Sequence, residues 1–365
     1  MALNIELICK HFETPGSFVD AHPFGSGHIN DTYLVTHDDN GIRVLTVLQR
    51  INHEIFKDPP SVMENILRVT NHIREKLRAE GADNISRRVL TVLQTHSGNA
   101  NWRDHDGNFW RQYVFIENGK TYDTPQSPEL VYRAAKAFGR FLKMLEDLPG
   151  PPLNVSIPDF HNGFKRLLTF QEVLLANPYN RAKNAKPEIE FVLQYAYILD
   201  ELSQLVSKGL VPIRTTHNDA KINNVIFDAD TGESLCIIDL DTVMPGAILY
   251  DFGDMVRTYT CPAPEDEKDL SKVELKTDLF ESLVRGFLEE TAEFIAAAER
   301  RYLLFGGKAI TFEQAVRFLT DYLRGDVYYR TSYSEHNLDR CRTQLKLMQS
   351  IMQQEEILSA IVERS

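Results

Sequence analysis

Strand-like apolar runs at Thr32–Val35 and Val44–Gln49 flank the turn Asp38-Asp39-Asn40-Gly41, which predicts a hairpin. From Ser61 to Leu77 the period changes. Val62, Ile66, Val69, Ile73 and Leu77 recur at intervals of three and four, which predicts an amphipathic helix. Strand-like runs at Arg88–Leu93 and Phe109–Ile116 then complete a small sheet. Beyond Pro128 the pattern turns helical, over Glu129–Glu146, Gly163–Leu175 and Glu188–Lys208, and later over Asp278–Ala297, Phe312–Tyr329 and Arg340–Val362. Pro149-Gly150-Pro151-Pro152 interrupts this half as a loop. The chain has no internal repeat and no low-complexity tract. The pattern predicts an α+β protein in two lobes: a small, mainly antiparallel sheet lobe over residues 1–117 and a larger helical lobe over 118–365.

Composition narrows the classes. A chain of 365 residues buries a substantial core, and 43 % hydrophobic with 25 % charged residues is ordinary for a soluble globular protein. No stretch reads as a membrane span, and MALNIELICKHF lacks a basic start and a long apolar core, so a cytoplasmic protein is expected. Cys9, Cys236, Cys261 and Cys341 are scattered without a CxxC pair, which argues against disulfides and zinc. A net charge of −12 disfavours binding to nucleic acid. The oligomeric state is left open, a monomer included.

The chemistry concentrates in His217–Ile248. His217, Asp219 and Asn224 spell HxDxxxxN, and the apolar run Leu235–Ile238 leads into Asp239 and Asp241. These are the parts that phosphoryl transfer needs, because its loose transition state asks the protein mainly to aim a hydroxyl and to neutralise charge. Asp219 would orient the hydroxyl and take its proton. Asn224 supplies a neutral oxygen for Mg²⁺, and Asp239, at a strand end, a carboxylate; Mg²⁺ needs only one or two. Asp241 points elsewhere if the strand continues, whereas a loop there would free it as a second ligand. The triplet Asp251-Phe252-Gly253 imitates a metal-binding motif, but Asp239 comes earlier after Asp219, where a short hairpin would return a strand beside the catalytic loop, so the metal is assigned to Asp239, with Pro245 and Gly246 as the intervening turn.

A glycine-bearing loop, Gly25-Ser26-Gly27, precedes the hairpin and is placed to cover nucleotide phosphates. By their order along the chain, Phe115-Ile116-Glu117-Asn118-Gly119 resembles the adenine-holding hinge of kinases and Glu64 the ion-pairing acid of their small-lobe helix.

The segments GSGHINDTYLV (Gly25–Val35), LQRIN (Leu48–Asn52), THNDAKINN (Thr216–Asn224), IIDLDTVMPG (Ile237–Gly246), DFGD (Asp251–Asp254) and RFLTDYLRGDVYY (Arg317–Tyr329) resemble the aminoglycoside phosphotransferase and choline kinase superfamily. Within it they are most similar to the N-acetylhexosamine 1-kinases. The resemblance implies a two-lobed protein-kinase-like fold and an enzyme that uses ATP and Mg²⁺ to phosphorylate the anomeric hydroxyl of an N-acetylhexosamine. Kinases of another small alcohol (an aminoglycoside, choline, homoserine or another sugar) and a non-catalytic sensor are the alternatives. The resemblance assigns Gly25, Gly27, Asn30, Gln49 and Glu117 to the nucleotide, and His28, Arg317 and Tyr328 to the sugar. It makes His217 and Asp251 supports of the catalytic loop. Two departures stand out. Gln49 occupies the place of a phosphate-binding Lys with Arg50 beside it, and strand alternation lets only one of the two face the nucleotide. Thr258 stands where sugar kinases of this kind can carry an aromatic residue. Arg317 and Tyr328 would also lie about 16 Å apart on an unbroken helix, so one sugar reaches both only if the helix breaks, with Gly325 the expected place.

Overall fold

The hairpin forms because Asn40 and Gly41 both adopt positive φ, 54° and 86°, the backbone that a tight turn between twisted strands requires. It joins the strands Asp31–Asp39 and Ile42–Ile51. In the computed structural model, which describes residues 4–25 and 29–365, these lie at the centre of an antiparallel sheet. Its order is 17–23, 31–39, 42–51, 109–114 and 92–93, with 102–103 also on 109–114. The strand Ser17–Pro23 has no clear signature in its sequence, since most of its side chains are exposed. The expected run Arg88–Leu93 shrinks to Val92–Leu93, because Ile85–Arg88 coil into one helical turn.

The helix Pro59–Ala79 starts where its sequence announces it. Asp58 caps the Ser61 N–H, Pro59 opens the first turn, and Val62, Ile66, Val69, Ile73 and Leu77 form the buried stripe. That stripe packs with Phe141 and Leu145 of the helix Pro128–Leu145 and with Leu240 and Val243, so one apolar core runs between the sheet side and the helical side. Asn65 fixes the same junction, donating to the carbonyls of Asn154 at 2.8 Å and Val243 at 3.1 Å.

The helical half departs from expectation mostly at helix ends. Residues 186–207 form two helices meeting at Ala196. The expected helix Asp278–Ala297 stops at Thr291, and a separate turn, Ala297–Arg301, follows. The predicted Phe312–Tyr329 helix runs instead from Leu303 to Arg324. It stops at Gly325, whose φ of 99° suits glycine and ends α-helical geometry. The last expected helix divides into His336–Gln353 and Glu355–Arg364. Pro245 and Gly246 are not a turn: Met244–Gly246 is a strand paired antiparallel with Arg214–Thr216, next to the HxDxxxxN motif. Asp251-Phe252-Gly253 lies inside the helix Ile248–Tyr259, packed on Leu303–Arg324. A Cβ on Gly253 would stand 2.6 Å from the Gly306 carbonyl oxygen, so this glycine serves helix packing. All four cysteines are buried free thiols. No helix among the described residues is long and apolar enough to cross a membrane.

Candidate active site

The motif HxDxxxxN occupies the loop between the strands Arg214–Thr216 and Val225–Asp228, and the second of these pairs with Ser234–Ile237, which leads to Asp239. The loop is held from several sides. Asp251, fully buried, accepts the backbone N–H groups of His217 at 2.9 Å and Asn218 at 2.6 Å. Burial nonetheless raises its carboxyl to about 6, because these donors and nearby His217 only partly offset the lost hydration. The His217 ring donates from Nε2 to the Ile238 carbonyl at 3.0 Å and packs edge-on against Phe138 and Phe141. His217 thereby links the HxDxxxxN loop to the residue preceding Asp239.

Asp219 sits among charges. Its Oδ2 lies 3.0 Å from Lys221 Nζ, and Asn224 donates from Nδ2 to its backbone carbonyl at 2.8 Å and to Oδ2 at 3.3 Å. Burial works against its charge, but Lys221 and then His217 outweigh it and hold the carboxyl below its ordinary value, so Asp219 stays ionised. Lys221 is a residue that sequence reasoning passed over, although its place two positions after Asp219 was a usable signal.

Asp239 adopts a left-handed backbone, φ 59° and ψ 55°, and the chain continues into the 3-10 turn Leu240–Thr242. The strand has therefore ended, and the alternative in which Asp241 points away along a continuing strand does not hold. Asp239 is exposed to solvent on one side, yet the protein packed around it, and then the charges of Asp241 and Asp219, push its carboxyl up to about 7. The direction follows from crowding three carboxylates, which disfavours full ionisation. Asp241 is buried and already engaged: Asn30 donates to Oδ2 at 2.7 Å, and Arg111 grips both oxygens with its guanidinium fork.

On the sheet side Gln49 faces inward, donating to Thr32 Oγ1 and accepting from Arg111 Nε, both at 2.9 Å. Arg50 is turned out and paired with exposed Asp31, so the strand settles which of the two faces the cleft. Asn30 accepts the Asn52 N–H at 3.0 Å. Gly25 has a φ of 83° and open space around it, whereas Gly27 and His28 fall outside the described residues. Glu64 lies on the exposed side of its helix and accepts from Asn154, away from this cluster, because the helical period puts Met63 inward instead. The Glu117 side chain is exposed, and its carbonyl accepts from Arg87, which also binds Asp228 and so ties this segment to the strand Val225–Asp228.

The surroundings of Arg317 are built around the helix stop at Gly325. Asp321 accepts the N–H groups of Val327, Tyr328 and Tyr329, folding the chain back over the helix. The Arg317 guanidinium consequently lies 5.1 Å from the Phe160 ring centre, 5.9 Å from that of Tyr328 and 5.7 Å from that of Tyr329. Burial opposes its charge, but the two tyrosines, Glu313 and Asp219 keep it protonated. Arg317 and Tyr328 thus meet despite their sequence separation. Tyr328 remains 44 % exposed, whereas the Thr258 hydroxyl is spent on the Asp254 carbonyl of its own helix. His161, unnoticed in the sequence, bridges Glu313 Oε1 at 3.0 Å and the Asn218 carbonyl at 2.9 Å. No spacing rule relates these residues; only the fold brings them together.

The model of the phosphotransferase enzyme family matches residues 20–312, and the chain belongs to that family. Solved structures share its fold along nearly the whole length. The aminoglycoside phosphotransferase of Alicyclobacillus acidocaldarius is 12 % identical, with 100 % of this chain and 98 % of that chain covered at a TM-score of 0.63. A spectinomycin phosphotransferase, in complex with ADP and spectinomycin, is 12 % identical over 98 % and 99 %, with a TM-score of 0.58. Choline kinase from Cryptosporidium parvum is 16 % identical over 97 % and 96 %, with a TM-score of 0.52.

Proposed function

We propose that the protein is an ATP- and Mg²⁺-dependent kinase that phosphorylates the anomeric hydroxyl of an N-acetylhexosamine, giving the sugar 1-phosphate. Residues 1–117 form its nucleotide lobe and residues 118–365 its catalytic and sugar lobe. The observation that carries the acceptor class is the charge at the aromatic end of the cleft. Arg317 already occupies the faces of Phe160, Tyr328 and Tyr329, and Arg166 lies close enough for the two guanidinium charges to oppose each other. Choline and ethanolamine carry a positive charge that would have to displace Arg317 from these rings and would be repelled by both guanidiniums. Aminoglycosides carry several. A neutral sugar meets no such opposition: its ring stacks on aromatic faces, and the Arg317 fork donates to its oxygens.

Asp219, kept ionised by Lys221, orients the anomeric hydroxyl and takes its proton as the oxygen attacks the γ-phosphorus and ADP leaves. Lys221 meets the transferred phosphoryl group. The residues also fit a divalent cation. Asp239 is crowded by two further carboxylates, which a cation relieves, and Asn224, which donates its amide nitrogen to Asp219, offers its amide oxygen. Among the described residues no three His, Cys, Asp or Glu side chains could hold a metal by themselves. Mg²⁺ requires fewer, taking its other ligands from phosphates and water, and would neutralise charge on the phosphates. Gly25 and Gly27 cover the phosphates, the Glu117 backbone receives adenine, and His28 joins Arg317 and Tyr328 on the sugar.

The test is a panel of N-acetylglucosamine, N-acetylgalactosamine, glucose, choline, homoserine and kanamycin, each incubated with ATP and Mg²⁺ and followed by phosphorus NMR. The expected product is a sugar 1-phosphate from the acetamido sugars. Transfer to choline or kanamycin alone would overturn the acceptor assignment while leaving the kinase intact.

A further inference from the structure

We infer that Arg111 is a positioning residue of the nucleotide site, and that its ion pair with Asp241 orders the turn Asp239–Thr242 by bridging the two lobes. The inference rests on the kinase reading of this cleft.

The strand register supplies the first observation. Gln49 and Arg111 are direct cross-strand partners, and opposed residues of an antiparallel pair project from the same face of the sheet. The positive charge missing at Gln49 therefore reappears one strand away on the same face, and Arg111 Nε donates to Gln49 Oε1 at 2.9 Å. Arg50 and its exposed partner Asp31 play no part in it.

Burial supplies the second observation. Arg111 and Asp241 are each only 2 % exposed. A buried ion pair is commonly no more stabilising than an apolar pair of the same shape, so stability alone explains this one poorly. Its partners point to what it does. The small-lobe helix faces Arg111 with Met63, whose Sδ lies 3.9 Å away, and turns Glu64 outward. The acid that answers the cation comes instead from the large lobe. Asn30, also of the small lobe, donates to the same Asp241 carboxylate. Two small-lobe residues thus grip one large-lobe residue, two positions after Asp239. The left-handed backbone of Asp239 and the tight turn after it leave little slack between the two carboxylates. Whatever holds Asp241 sets the direction of Asp239. The arrangement makes reception of the magnesium-bound phosphates depend on the lobes standing in this mutual position.

The test measures binding. Isothermal titration of the full-length protein with ADP, with and without Mg²⁺, is compared for the native chain, Arg111→Gln, Asp241→Asn and the double variant. Loss of a residue that orients a metal ligand lowers metal affinity by about 10–100-fold. The Arg111→Gln protein is accordingly expected to need at least about tenfold more Mg²⁺ at fixed ADP, with affinity for metal-free ADP within about twofold. The double variant should be no worse than the weaker single one, since the two residues act as a unit. Arg111→Lys, which keeps the charge but loses the fork, replaces Arg111→Gln if the latter does not fold, with a loss of Mg²⁺ affinity again expected. A native Mg²⁺ dependence in the folded Arg111 variant, or equal losses with and without the metal, would overturn the inference. A native chain that binds no ADP even with Mg²⁺ would remove the kinase reading beneath it instead.

Discussion

His161 meets the Glu313 carboxylate at 3.0 Å through Nδ1, while its Nε2 lies 2.9 Å from the carbonyl oxygen of Asn218, the residue before the proposed base. Both partners are acceptors, so both ring nitrogens must donate and the imidazole is a cation. Burial would lower its pKa, but the Glu313 charge and these hydrogen bonds outweigh burial and raise it above 6.5. A base with a raised folded pKa lends stability that is fully present below its unfolded value and is lost as pH rises through the folded one. Glu313 is held below its ordinary 4.5 despite its own burial, so its share disappears only in acid. The thermal midpoint of the native protein should therefore exceed that of His161→Gln most between about pH 4.5 and 6.5, and the gap should narrow as pH rises toward 9. A gap that is constant from pH 5 to 9 would mean a neutral ring.

Much of the frame is legible in the sequence, and the reasons are local. The Asn40–Gly41 turn, the buried stripe of Val62 to Leu77 and the Gly325 stop each follow from a rule about neighbouring residues. Asp219, Asn224 and Asp239 come to one cleft because two short paired strands separate them. What escapes is either long-range or locally ambiguous. Nothing near His161 reveals Glu313, and the inward face of the helix at Met63 rather than Glu64 depends on one position of helical phase. The buried Arg111 gave a weaker hint, a charge followed by Gln112 in a strand otherwise built of Phe109, Trp110, Tyr113 and Val114.

Asp219→Asn should leave the fold and the affinity for ADP within about threefold of native, because the side chain keeps its size. Positioning and proton transfer together contribute on the order of 10²–10⁴-fold. Single-turnover phosphoryl transfer is expected to fall by at least the lower of these, and turnover within a few-fold of native would remove Asp219 from the mechanism.

Asp239 and Asp251 should behave oppositely. The Asp239 carboxyl, raised to about 7 by burial and by its acidic neighbours, charges at a cost to the folded state as pH rises from 3.8 to 7. At pH 8 without nucleotide, Asp239→Asn should melt no lower than native while its Mg²⁺-dependent ADP binding is lost. Asp251→Ala abandons two buried N–H groups, each worth about 1–3 kcal/mol, and should melt well below native. A Mg²⁺ titration and a thermal melt on both proteins decide this, and the reversed pattern would transfer the metal to Asp251.

The surroundings of Arg317 offer a prediction in which two substitutions must differ. Arg317 is enclosed by three aromatic rings, and its only protein hydrogen bond among the described residues is a 3.2 Å contact from Nη1 to Gln314. Most of its donors are therefore available to a ligand, and a sugar oxygen facing a missing donor in a dry site is penalised heavily. Arg317→Ala should accordingly weaken the acetamido sugar by at least about tenfold, in line with a lost charged hydrogen bond of about 1.5–3 kcal/mol. ADP binding should not change. Tyr328→Phe keeps the ring and its contact with Arg317 but removes a hydroxyl at a half-exposed position, so its effect should be smaller, about two- to fivefold. Titration of each variant with sugar in the presence of Mg²⁺ and a non-hydrolysable nucleotide measures both effects. If Arg317→Ala instead lowers the melting temperature with sugar affinity intact, the guanidinium only stitches Phe160 to Tyr328, and the acceptor must bind elsewhere along the cleft.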